Sequence, residues 1–184
     1  MVLLALSKLP LGEAVEFVID WLVSNLSVVF DAISDALDIA TDKMEDGLLF
    51  LPPIVMIVIF SLLIWLISSK KIALFSFVGL ILVDNLGLWN TLVETFILIL
   101  IAVILALIIG IPLGIWMTRN KLVREIIRPV MDFMQTMPPF VYLIPAVMLF
   151  GIGTVPGLFA TIIFAVPPPV RLTYLGITQV PSDV

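Results

Sequence analysis

Neither cysteine nor histidine occurs in this 184-residue chain. Without them there is no disulfide framework, no thiolate nucleophile, no Ser-His pair and no ordinary zinc site. Charge is scarce as well: Asp, Glu, Lys and Arg make up 12% of the chain, where a soluble domain carries about 25%. Hydrophobic residues make up 62% and the mean hydropathy is +1.28, more apolar side chain than one small core buries. A water-soluble enzyme is thereby excluded, and the chain belongs in a bilayer. Nine basic against fourteen acidic residues leave a net charge of -5. The basic residues form no face of the kind nucleic acid requires, so nucleic acid is not an expected partner. Met1 to Pro10 hold a single Lys in a short apolar run and lack a small-residue cleavage site, so no removable signal peptide is expected.

What is present begins with a stripe. Glu13, Glu16, Asp20, Ser24, Ser27, Asp31, Asp35, Asp38, Asp42 and Glu45 recur every three or four residues, opposite Val18, Leu22, Val29, Ile33, Leu37 and Met44. This predicts an amphipathic helix within 1–47, too charged to cross hydrocarbon, lying on the membrane or against other helices. Its acidic face disfavours the anionic cytoplasmic leaflet, which argues for the outer side.

Five spans follow in prospect. Residues 48–67 are apolar, uncharged and of bilayer length, after the punctuation of Gly47 and Pro52-Pro53. Ile72 to Val83 is a short second run that ends at Asp84 and Asn85, and Thr91 to Met117 is the strongest span. Phe133 to Phe150 and Gly157 to Val170 complete the set. Lys70 and Lys71 mark one cytoplasmic turn; Arg119, Lys121, Arg124 and Arg128 mark another. The chain reaches both from one side only by crossing twice between them, so the short run counts as a span and the N-terminus lies outside. Trp89 and Trp116 stand near span ends, where an interfacial belt and core packing are equally open readings. Beyond Arg119, Pro129, Pro138, Pro139, Pro145, Pro156 and Pro167-Pro168-Pro169 imply broken helices, the mark of a transporter rather than an inert anchor.

Three stretches carry an identification: Gly110-Ile-Pro-Leu-Gly-Ile-Trp-Met117, Arg128-Pro-Val-Met-Asp-Phe-Met-Gln-Thr-Met-Pro138 and Phe140-Val-Tyr-Leu-Ile-Pro-Ala-Val-Met-Leu-Phe-Gly-Ile-Gly153. With Val155-Pro-Gly157, Ile162-Ile-Phe-Ala165, Arg171-Leu-Thr173 and Leu175-Gly-Ile-Thr-Gln-Val-Pro181 following in order, the chain resembles the permease subunit of the glycine betaine and proline betaine ABC importers. The resemblance is dense from about Gly87 to Val184. It implies an all-α membrane protein with a type I importer permease fold, incomplete here, in a bacterial cell membrane. Residues 48–90 are then an N-terminal scaffold and 91–184 the first part of the permease core. The implied partners are a second permease chain as homodimer, an ABC ATPase subunit, an extracellular binding protein or fused domain, and membrane lipid. No cofactor is implied, because ATP is bound by the partner subunit, and no Gly-x-x-x-x-Gly-Lys loop occurs in this chain. In the family, Gln179-Val-Pro181 leads into a Glu-Ala-Ala docking loop and later spans. Neither occurs before Val184, so the chain is expected to be either a fragment or a truncation that cannot couple transport to ATP.

Candidate site residues carry two readings each. Gln135 and Thr136, before Pro138-Pro139, stand beside a translocation path or else cap a helix. Phe140 and Tyr142 meet a quaternary ammonium by cation-π contact or else pack the core. Glu94, one turn inside a span, is functional or reaches interfacial water. The basic cluster from Arg119 to Arg128 meets anionic lipid or the ATPase, or is a plain topology determinant. The resemblance assigns Arg171, Gln179, Pro181 and Asp183 to the region that faces the ATPase. Three functions result: uptake of glycine betaine or a related compatible solute by alternating access; the same architecture carrying choline, carnitine or proline; and a truncated, non-transporting membrane protein.

Overall fold

The computed structural model describes residues 11–180, and these form eight helices without a strand. The acidic stripe becomes α1, Leu11–Leu49, a single 39-residue helix. Its second half docks: Leu37, Met44 and Leu48 pack on the core, Thr41 is buried with its hydroxyl donated to the Leu37 carbonyl at 2.8 Å, and Phe30 meets Phe150 edge-on at 5.4 Å. The first half leaves Phe17, Trp21 and Val28 exposed.

Pro52 and Pro53 start α2, Pro53–Ile67, where the missing proline N–H costs nothing in a first turn. The Ser69 side chain accepts the Ile72 N–H at the head of α3, Lys70–Asn85. Gly87 then turns the chain with φ +71°, a conformation open to glycine. It leads into α4, Trp89–Arg119, a 31-residue helix that runs through Pro112. Asn120 ends α4 and caps α5, Lys121–Thr136, by accepting the Leu122 and Val123 N–H groups at 2.9 and 3.3 Å. α6 is Phe140–Phe150, α7 Thr154–Ala165 and α8 Pro167–Thr178. Val166 stays helical, so α7 and α8 form one 25-residue stretch, Thr154–Thr178.

Two buried clusters organise the bundle. Met56, Ile57, Trp89, Val93, Ile97 and Leu158 join α2, α4 and α7. Met117, Met131 and Val170, with Val166 at the joint of α7 and α8, link α4, α5 and α8. Between apolar helices in lipid there is little hydrophobic drive to associate, because acyl chains are as apolar as leucine; close packing of small residues supplies it. Gly110 and Gly114 provide that on α4. A methyl group at Gly110 would lie 2.8 Å from the Pro169 Cβ, and one at Gly114 would lie 2.7 Å from the Thr173 Cβ and 2.8 Å from the Val170 carbonyl oxygen. The backbones of α4 and α8 therefore cross with no room for a side chain.

The span count differs from the five expected. Among the described residues three helical stretches are long and apolar enough to cross a bilayer: Trp89–Arg119, Thr154–Thr178 and, contrary to the expectation that the acidic stripe makes α1 too charged to cross, Glu16–Leu49, whose charges are spread thinly enough to leave an apolar window. A bent pair, Lys121–Thr136 with Phe140–Phe150, makes a fourth. The expected span over 48–67 is shortened because α1 continues through Gly47 to Leu49 and the proline pair starts a new helix of 15 residues, about 22 Å long against roughly 30 Å of hydrocarbon. The stretch from Ile72 to Val83 lies in a 16-residue helix that also holds Lys70, Lys71 and Asp84. Trp89, 5% exposed, is a core residue rather than an interfacial one, whereas Trp116 is exposed.

Candidate functional site

The candidate path residues collect at the joint between α5 and α6. Pro138 excludes the helical region for the residue before it, and Met137 is accordingly extended at φ -83° and ψ 138°. The two helices meet there at 99°. A helix that ends this abruptly leaves carbonyls unpaired, here that of Met134, which Pro138 has no N–H to meet, while the Phe133 carbonyl accepts the Met137 N–H at 3.2 Å; two predicted residues add hydrogen bonds to this turn. Thr136 donates its hydroxyl to the Phe133 carbonyl at 3.0 Å. The Tyr142 hydroxyl reaches back from α6 to the carbonyls of Met134 at 3.1 Å and Phe133 at 3.4 Å. These two side chains fasten the elbow, which is the capping role weighed for Thr136. Phe140 opens α6 and is 75% exposed, while Gln135 is half-buried on the last turn of α5.

A second polar group ties α5 to α8. Arg171 forms an ion pair with Asp132, both partly exposed. One turn and two turns back along α5, Arg128 and Arg124 lie against Tyr174, with guanidinium carbons 5.1 and 6.0 Å from its ring centroid. Arg124 also donates to the Tyr174 hydroxyl at 3.2 Å. The segment predicted to face an ATPase is thus bound laterally to the basic helix that precedes the elbow. Gln179 closes α8 by donating its N–H to the Leu175 carbonyl at 3.0 Å, and Pro181 and Asp183 lie outside the described residues. Glu94 is exposed on the second turn of α4. Asp132 and Tyr174 escaped the sequence reading. Asp132 could have been found as the lone acid in the stretch from Arg128 to Pro138, but its partner stands 39 residues away.

A cavity of about 420 Å³ lies elsewhere, between α2, α3 and α4, lined by Phe60, Phe75, Trp89 and Phe96 among others. Its walls are almost wholly apolar, with Ser76 and Trp89 the lining residues that carry a polar side-chain group, and no charged side chain lines it. Among the described residues no group of three or more Asp or Glu is placed to hold a metal ion.

Residues 110–184 match the family described as binding-protein-dependent transport system inner membrane component. The chain is 43% identical over 179 residues to the glycine betaine transport system permease protein of Bacillus subtilis (strain 168), covering 97% of this chain and 64% of that protein. It is 44% identical over 176 residues to the glycine betaine/proline betaine transport system permease protein of Escherichia coli (strain K12), covering 96% and 50%. A glycine betaine/carnitine transport permease protein of Listeria monocytogenes is 40% identical over 180 residues, covering 96% and 64%. The chain therefore spans between half and two-thirds of the length of these relatives. The ordered proline and glycine motifs fall largely within residues 110–184, the region similar to the binding-protein-dependent transport system inner membrane components, and over nearly its whole length the chain is similar to part of these permeases.

Proposed function

We propose that this chain forms the N-terminal part of a permease subunit that carries glycine betaine or a related compatible solute inward by alternating access, driven by a separate ABC ATPase. The observation that carries this reading is the identity of 43 and 44% to two glycine betaine permeases over 97 and 96% of the chain. In this reading the protein is a transport component and not an enzyme, and needs no cofactor of its own. Its partners are a second copy, the ATPase and an extracellular binding protein. Residues 1–47 lie at the outer membrane surface, 48–90 form a scaffold, and 91–184 begin the permease core in a bacterial inner membrane. Five crossings with the N-terminus outside put Lys70, Lys71 and the cluster from Arg119 to Arg128 on the cytoplasmic side; α2 and α3 then cross as a short hairpin in a locally thinned bilayer.

Gln135, Thr136, Phe140 and Tyr142 flank the translocation path at the elbow, where irregular backbone is tolerated if it lines a water-filled cavity. The ring faces of Phe140 and Tyr142 suit a methylated cation that has no hydrogen-bond donor. Arg171, Gln179, Pro181 and Asp183 lead toward the ATPase. The name of the Listeria relative, which adds carnitine, supports a second reading with the same architecture and a wider range of trimethylammonium solutes. The deciding experiment is uptake of labelled glycine betaine by cells whose own permease gene is deleted and which carry no duplicate. Restoration by the complete permease with its ATPase and binding protein is expected, and undiminished ATP-dependent uptake in the deletion strain would refute the reading. Competition by carnitine or choline separates the two cargoes.

A further inference from the structure

α2 and α3 pack side by side across the Ser68-Ser69 turn, and each turns one stripe of its surface to a shared groove of about 370 Å³. Val58, Leu62 and Trp65 line it from α2; Lys70, Leu74 and Phe77 line it from α3. Both sets follow helical spacing, so each lies on one face of its helix. Ala73 is buried at the floor, while Val58, Leu62, Trp65 and Leu74 leave the rims exposed. From Trp65 to Val58 the groove runs about 10 Å along the helix axis, away from the turn and toward the middle of the hairpin.

The groove is charged at one end only. The Lys70 ammonium lies 5.7 Å from the centroid of the Trp65 ring, so it bridges the mouth from α3 to α2. Among the described residues neither Lys70 nor Lys71 has a carboxylate within 4 Å, and an aromatic face attracts a cation without neutralising it. The N-terminus of α3, the positive end of its dipole, opens on the same turn. Ser61 lines the groove about one turn deeper than Trp65, buried and with its hydroxyl lacking a hydrogen-bond partner. Lys71 stands about 100° round the helix from Lys70 and does not line the groove.

We propose that the α2–α3 groove holds one anionic phospholipid, with its phosphate on Lys70, an ester carbonyl at the depth of Ser61 and an acyl chain between Val58 and Leu62 on one side and Leu74 and Phe77 on the other. An unmatched cation, then a lone hydroxyl, then hydrocarbon is the order in which such a lipid presents phosphate, ester and chain. A free anion would use only the mouth, and a wholly apolar molecule only the floor. The axis of the groove follows the two helices, so a lipid in it stands parallel to a hairpin that crosses the bilayer. Its place in the cytoplasmic leaflet rests on the orientation proposed above.

The complete permease, purified in its complex, is equilibrated with bilayers of phosphatidylcholine that hold phosphatidylglycerol as the minor component, and retained lipid is counted by native mass spectrometry. Lys70→Gln is expected to retain roughly fivefold less phosphatidylglycerol, as the loss of one cation near anionic lipid implies, with phosphatidylcholine unchanged. Lys71→Gln is expected to match the parent protein, and Lys70→Arg to keep the lipid. Both lysines are exposed, and all variants are compared as intact complexes. In a second readout, phosphatidylglycerol brominated on its chains is expected to quench the Trp65 emission, taken as the difference between the parent and Trp65→Phe, more strongly than brominated phosphatidylcholine, and Lys70→Gln is expected to erase that preference. Unchanged phosphatidylglycerol in Lys70→Gln, an equal loss in Lys71→Gln, or displacement of the lipid by inorganic phosphate would each overturn the proposal. So would equal quenching of Trp65 by the two brominated lipids, or quenching by neither, which would put protein over the groove. The readouts involve no solute, so they stand or fall separately from betaine uptake.

Discussion

At the scale of single residues, two glycines and a tyrosine are most constrained. Gly114 faces the Val170 carbonyl oxygen, a backbone atom that cannot swing aside. Gly114→Ala is therefore expected to destabilise the chain by about 1–3 kcal/mol, read as a lower thermal midpoint in detergent. Gly176→Ala, at a position open to at least 4 Å, serves as the control and is expected to leave the midpoint unchanged. An equal response of the two variants would contradict the tight α4–α8 crossing. Tyr142→Phe keeps the ring and removes the donor to Met134 and Phe133. A loss of about 1 kcal/mol is expected, while a cation-π contact of the ring would survive. Transport that persists in Tyr142→Phe and fails in Tyr142→Ala would identify the ring as the working part.

At the scale of elements, the α5–α8 contact mixes strong and weak links. Arg171 and Asp132 have side chains 41 and 68% exposed, so a double-mutant cycle with Arg171→Gln and Asp132→Asn is expected to give a coupling below about 1 kcal/mol that fades with added salt. A larger, salt-insensitive coupling would mean that the pair is shielded in the assembled permease. The elements themselves were legible to different degrees. The stripe from Glu13 to Glu45 and the uncharged run from Phe96 to Met117 announced α1 and α4, because helical periodicity and unbroken hydropathy are local properties. Pro138-Pro139 announced a break, and Met137 obeys the proline that follows it. The angle of that break was not legible, since it depends on how α5 and α6 pack on other helices. Nor were the contacts of Arg171 with Asp132 or of Arg124 with Tyr174, which join residues 39 and 50 positions apart. Thr136 and Tyr142 were found by their position beside the prolines, but their hydrogen bonds to α5 carbonyls needed the fold.

At the scale of the whole molecule, the proposed orientation rests on the basic residues, and of the prolines beyond Arg119 only Pro138-Pro139 breaks a helix, since Pro129, Pro145, Pro156 and Pro167-Pro168-Pro169 stand within helices. In a chain without native cysteine, single substitutions Ser69→Cys and Asn120→Cys are expected to react only from the cytoplasmic side, and Asn85→Cys and Gly151→Cys only from outside. Reaction of Ser69→Cys from outside would remove the two crossings assigned to α2 and α3. Exposed apolar surface such as Leu66, Phe75 and Ile108 suits contact with lipid. The central claim is that this chain is part of a permease for a methylated compatible solute. Its most direct test is ATP-driven entry of labelled glycine betaine into proteoliposomes holding the complete permease, its ATPase and its binding protein. The account predicts accumulation that requires ATP and disappears when the permease is left out. Full complex assembly with no betaine accumulation, or accumulation that persists without the permease, would contradict it.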